Sequence, residues 1–281
     1  MKTCLVLEGG GLRGIYTAGV LDEMLKDNIK VDAIIGVSMG ALIGINYKSK
    51  QRERAIRYNL RYCNDKRYMG LHSLIKTGNI ANKEFAYYKV PNELDKFDYD
   101  TYKKSKIKFY VTVTNLETGE AEYIEIKDAK DNIEYFRASS AIPGVSRIVE
   151  IDGKKYLDGG IADSIPVKKA LDLGYDRVIV VLTRPIEYRK KLTEMKWLQA
   201  RYKKYPKFMK AIAKRNKSYN EKVDRIIKLE KEGKVFCIRP SRQVKIKRIE
   251  KDERIILKQY NLGKSDYLNI KEDLSKFVKK K

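Results

Sequence analysis

The sequence predicts an α/β fold of three layers, with helices on both faces of a mostly parallel sheet. Short continuous apolar runs alternate with stretches of helical period over residues 3–185, and the first two runs each end in a glycine-rich junction that opens a helix. At 281 residues and 43% hydrophobic, with no internal repeat or low-complexity linker, the chain has material for a large core, and one domain over 1–281 is expected.

The run TCLVLE at residues 3–8 is a buried strand by its unbroken apolarity. Behind it, GIYTAGVLDEMLKDN places Ile15, Ala18, Leu21 and Leu25 at spacings of three, three and four, a helical stripe. A second strand, VDAIIGV at 31–37, leads directly into SMGALIGINYKS. Residues 107–114 and 122–126 read as a hairpin around a turn at Glu117 to Gly119. A helix-like NIEYFRASSAI follows at 132–142, then a short strand-like run into Asp158 and the strong strand RVIVVLTRP at 177–185. The remainder comprises a basic helical excursion at 186–233, a closing strand KVFCIRP and a helix near 265–279.

Cys4, Cys63 and Cys237 are odd in number and far apart, and two of them fall in strand-like runs where a small buried thiol is expected, which fits a reducing compartment. The four apolar residues between Thr3 and Glu8 fall short of the ~7–15 in a secretory signal core. No stretch approaches the ~18 apolar residues of a membrane span. The expectation is a cytoplasmic protein, at most peripheral to a membrane. The net charge of +24 is uneven, because residues 186–281 carry 31 Lys+Arg against 12 Asp+Glu. Such a surface concentrates anions, lipid headgroups or nucleic acid, through its summed field; a lysine-rich composition that only confers solubility is the other reading.

GGGLRG, Gly9 to Gly14, satisfies G-x-G-x-x-G between a strand and a helix. A dinucleotide site also needs an acidic residue closing the second strand, about 20 positions on. Asp32 precedes that strand's apolar run instead, so no cofactor is expected. The second junction is GVSMG, Gly36 to Gly40, which sets Ser38 on a tight strand-to-helix turn with glycines where a Cβ would collide. Adjacent parallel strands would bring both junctions together at the carboxyl edge of the sheet, with free N–H donors beside the Ser38 hydroxyl.

A serine nucleophile needs a base. His72, the one histidine, lies upstream of every late loop, the wrong order for a Ser-acid-His relay, and reads as a partly buried residue beside a helix. A carboxylate serves if it reaches ~2.6–3.2 Å of the serine oxygen. Asp158, between a short strand and Gly159-Gly160, is the candidate, although Asp-Gly-Gly alone is ordinary turn chemistry.

Taken in order, GGGLRG, GVSMG and DGG, together with RASSAIPG at 137–144 and DGGIADSIPV at 158–167, resemble the patatin-like phospholipases, serine acyl hydrolases with a Ser-Asp dyad. The resemblance covers roughly residues 3–185. It implies Ser38 as nucleophile, Asp158 as base and the N–H groups of Gly9, Gly10 and Gly11 as oxyanion hole, with no metal. Arg13 matches the family's basic residue after the glycines, where it would hold the loop or an anion, and Gly14, Gly36, Gly40, Gly159 and Gly160 complete the motifs. Asp163 departs from the Asn that many members carry; an effect on loop packing rather than chemistry is expected. The tail segments YRKK, RYKKYPKF and FCIRPS are similar to a bacterial subgroup of the family.

Met195, Leu198, Tyr202, Tyr205, Met209 and Ile212 recur at spacings of three and four among lysines and arginines, with Trp197 near the start and Pro206 interrupting. Either this stripe packs on the core, or residues 189–217 meet an anionic membrane. The expected function is lipid acyl hydrolysis on a phospholipid or other lipid ester. The alternative is a non-catalytic module binding anions through the basic tail; with no nucleic-acid motif beside the charge, nucleic acid is not the expected partner.

Overall fold

The computed structural model describes residues 1–192 and 196–279. Its strands are β1 (Thr3–Leu7), β2 (Ala33–Val37), β3 (Lys108–Asn115), β4 (Ala121–Glu125), β5 (Val149–Ile151), β6 (Lys154–Asp158), β7 (Arg177–Val181) and β8 (Val235–Ile238). Among the described residues these eight form one sheet in the order β5-β6-β3-β2-β1-β7-β8, with β4 also on β3. From β3 to β8 every neighbouring pair on this path is parallel; β4, β5 and β6 pair antiparallel.

The helices are α1 (Ile15–Lys26), α2 (Met39–Lys48), α3 (Arg54–Tyr62), α4 (Leu71–Thr77), α5 (Tyr99–Lys104), α6 (Ile133–Ser139), α7 (Val167–Asp172), α8 (Gln199–Tyr202), α9 (Pro206–Lys231) and α10 (Glu253–Lys279), with a π-helical stretch over Lys83–Leu94. Successive strand side chains point to opposite faces, and the core divides accordingly. Leu5, Leu7, Ile34, Phe109 and Val181 pack with α1, α2, α6 and α10. Cys4, Val6, Ala33, Ile35 and Val180 pack with α7 and α9 on the other face. This is the three-layer α/β/α arrangement of the sequence reading.

Some boundaries differ from that reading. The closing helix begins at Glu253, ahead of Gly263, rather than near 265. Of the one helix or two that the interruption at Pro206 leaves open, two form: Pro206 is the first residue of α9, where its missing N–H has no intrahelical partner to lose, and it separates α9 from the short α8. Of the stripe around it, Leu198, Tyr202 and Ile212 are buried, Tyr205 and Met209 half-buried, and Met195 lies outside the described residues. The stripe therefore packs on the core, while Trp197 stays exposed. His72 is exposed on α4 rather than partly buried.

The register of β3 sets up the site. β2 pairs with β3 as far as Val37 opposite Thr112, and β6 arrives antiparallel with Asp158 opposite Val113. β4 pairs with positions 110–114 of β3 and so takes its other edge. β2 and β6 consequently meet end to end along a single edge of β3.

Candidate active site

Ser38 stands where β2 ends and α2 begins, with φ 53° and ψ −123°. A non-glycine residue in this region costs about 1–3 kcal/mol and persists only where its surroundings hold it. Two contacts do so: the Ser38 amide donates to Ser139 Oγ at 2.8 Å, and that hydroxyl donates to the Thr112 carbonyl at 2.6 Å. The turn is tight enough that a Cβ on Gly36 would fall 2.5 Å from Ala41 Cα, and one on Gly40 2.5 Å from the Leu7 carbonyl oxygen. Glycine is required at both positions for close approach.

Across the junction, Ser38 Oγ donates to Asp158 Oδ2 at 3.0 Å, both residues being buried. The other oxygen, Oδ1, accepts from the Gly160 amide at 2.7 Å. Burial raises the Asp158 carboxyl above its ordinary value, against the opposing pull of Arg215, the Gly160 amide and Ser38. A carboxylate destabilised in this way is a stronger base.

The glycine loop lies against this pair. A Cβ on Gly9 would sit 3.1 Å from Ser38 Cβ. Glu8 is buried, and its carboxylate accepts from the Thr183 hydroxyl at 3.0 Å, tying the loop to the end of β7. Among the described residues no acceptor meets the amides of Gly9, Gly10 or Gly11. The loop, Arg13, Ser38, Asp158 and Gly160 line one cavity of about 750 Å³. A smaller apolar cavity of about 90 Å³ behind α2 is lined by Met39, Leu42, Tyr58, Val90 and Phe136, among others. Asp32 sits at the far edge of the sheet and accepts from the Thr3 amide at 2.7 Å, which explains why it stands before its strand rather than after it.

A family model described as patatin-like phospholipase matches residues 5–171. The chain belongs to the patatin-like phospholipase family. The uncharacterized protein YjjU of Escherichia coli K12 is 32% identical over 189 residues, 66% of this chain and 52% of YjjU. Lysophospholipase nte1 of Aspergillus niger is 29% identical over 183 residues, 63% of this chain and 11% of nte1. The chain thus spans about half of the first relative and a small part of the second. VipD of Legionella pneumophila overlays with TM-score 0.47 at 13% identity, over 97% of this chain and 67% of VipD. A second model, a domain of unknown function (DUF6363), matches residues 205–279.

In this patatin-like chain the structure brings Ser38, Asp158, Gly9 to Gly11, Arg13 and Gly160 to one cavity; Gly14, Gly36, Gly40 and Gly159 shape the backbone behind it. His72 does not line the cavity. Asp163 accepts from Tyr123 Oη at 2.7 Å and pairs with Lys222 Nζ of α9 at 2.8 Å, the packing role expected of it. Two residues escaped the sequence reading. Ser139 lies in the quoted RASSAIPG block, where no role was assigned to it. Arg215, whose Nε donates to the Gly160 carbonyl at 2.8 Å, sits between Ile212 and Tyr219 on the buried stripe of α9. A cation at a stripe position was the available sign.

Proposed function

We propose that the chain is a serine lipid acyl hydrolase of the phospholipase A or esterase type. The observation that carries this reading is the 3.0 Å Ser38–Asp158 hydrogen bond, set in one cavity with three amides that have no acceptor among the described residues. In the first step Asp158 takes the hydroxyl proton while Ser38 Oγ bonds to the ester carbonyl carbon, and the amides of Gly9 to Gly11 stabilise the oxyanion. The C–O bond to the alcohol then breaks, the leaving oxygen taking the proton from Asp158. Water, deprotonated by Asp158, releases the acid from Ser38 and restores both groups.

The deciding experiment is mass-spectrometric detection of fatty acid released from mixed neutral and anionic phospholipid vesicles by the wild type and by Ser38→Ala. Release that vanishes in Ser38→Ala establishes the hydrolase. No release, with no fluorophosphonate labelling of Ser38, favours the second reading, a non-catalytic anion-binding module, which the basic charge supports.

A further inference from the structure

The basic side chains beside Ser38 and Asp158 come from separate stretches of chain. Arg13 follows the glycine loop, and Arg248 rides on that loop, its carbonyl accepting from the Leu12 amide at 3.0 Å. Arg215 grips the Asp-Gly-Gly turn through Gly160. Lys190 Nζ lies 3.7 Å from the centre of the Tyr219 ring, one helical turn along α9 from Arg215. All four line the cavity that holds Ser38.

Apart from Glu8 and Asp158, every charged residue described along this cavity is cationic. Both of those carboxylates are already engaged, one by Thr183 and the other by Ser38 and Gly160. Among the described residues none of the four cations forms an ion pair, and Arg13 Nε is buried with no hydrogen-bond partner. The cluster is costly as it stands: burial, then repulsion from Arg215, pushes Lys190 down to about 7, and burial, then Arg184 and Arg248, pushes Arg13 down to about 10. Glu8 offsets part of this cost and Asp158 part of that on Arg215, but cations that outnumber the carboxylates around a cavity are further relieved by an anion inside it, and guanidinium forks match phosphate oxygens two at a time.

We propose that Arg13, Lys190, Arg215 and Arg248 form a subsite for a phosphate group carried close to the scissile ester. The cavity thereby selects lipids with an anionic phosphate headgroup over uncharged glycerides. The part concerning the ester rests on the hydrolase reading; binding of the phosphate does not. Arg215 and Arg248 both fall within the 205–279 region matched by the domain of unknown function, which on this account supplies headgroup recognition to the patatin-like core.

The test is calorimetric titration of Ser38→Ala protein with three probes: dihexanoyl phosphatidic acid, uncharged dihexanoylglycerol and inorganic phosphate. The phosphatidic acid should bind at least tenfold tighter than the uncharged lipid. Lys190→Met or Arg248→Met, added to Ser38→Ala, should each remove most of that margin, and Arg248→Lys should keep much of it. Arg248 is exposed, so its variants report even where Lys190→Met fails to fold. Equal binding of charged and uncharged lipid, or a margin that survives both substitutions, overturns the subsite. Inorganic phosphate binding as tightly as the lipid overturns headgroup selection in favour of a free-phosphate site. Fatty-acid release by the wild type, read in parallel, separates the two ideas. A charge margin without release leaves the subsite standing and removes the hydrolase; release without a margin does the reverse.

Discussion

Asp158 concentrates the conflict between stability and use. Its carboxyl is raised above 3.8 by burial, so the folded state binds that proton more tightly than the unfolded chain does. Stability from this group is therefore present at low pH and falls as pH rises through the raised value. Asp158→Asn should abolish turnover, yet melt no lower than the wild type at pH 7 in calorimetry. On the proposed mechanism turnover needs the carboxylate, so kcat/KM should fall in acid, with its limb above the ordinary carboxylate range. Arg215 opposes the rise, and Arg215→Gln should move that limb to still higher pH when followed on an uncharged ester. His72→Ala, an exposed change on α4, should leave activity within about threefold of wild type. That Ser38 and Asp158 share one cavity was legible because glycines mark both turns, at 36 and 40 around Ser38 and at 159 and 160 after Asp158. Arg215 was not, because its partner Gly160 lies 55 positions away and nothing local marks the meeting.

Packing of α10 on α1 shows why one element was misread. The sequence reading starts this helix near 265, whereas it begins at Glu253 and carries Gly263 in its interior. In the fold a Cβ on Gly263 would fall 2.1 Å from the Tyr16 carbonyl oxygen, and one on Gly19 2.1 Å from that of Tyr260. The two glycines let the helix backbones touch, so each is a contact rather than a break. Gly263→Leu should cost about 2–3 kcal/mol in denaturant unfolding, whereas a leucine at exposed Asn269 should be nearly neutral. Strands were easier to read than helices throughout. The buried run of β1 carries its own message, while α10 makes sense only beside α1.

Across the whole molecule, we propose that the chain folds as one unit. β8 completes the sheet on β7, and α10 lies on α1, so residues 234–279 cover the core built by the first 185. Truncation after Pro185 should yield insoluble or molten protein, and the full chain should unfold in one calorimetric transition. Among the described residues no helix is long and apolar enough to cross a membrane. With Leu198, Tyr202 and Ile212 turned inward, affinity for anionic vesicles would rest on surface charge and exposed Trp197. Co-sedimentation should then weaken sharply between 0.05 and 0.5 M salt, roughly as the Debye length shrinks below 10 Å. Uneven charge was plain in the sequence; which cations turn inward was not, since that depends on how α9 meets the sheet. The shared edge of β3 has one more consequence. Because β2 and β6 are both measured off the same strand, the spacing of Ser38 and Asp158 is a property of backbone register, indifferent to the length of chain between them. The segment between α2 and β3 can therefore change in length without moving Ser38 against Asp158, whereas the one between β4 and β5 is held to its course at α6, where Ser139 pins the Ser38 turn.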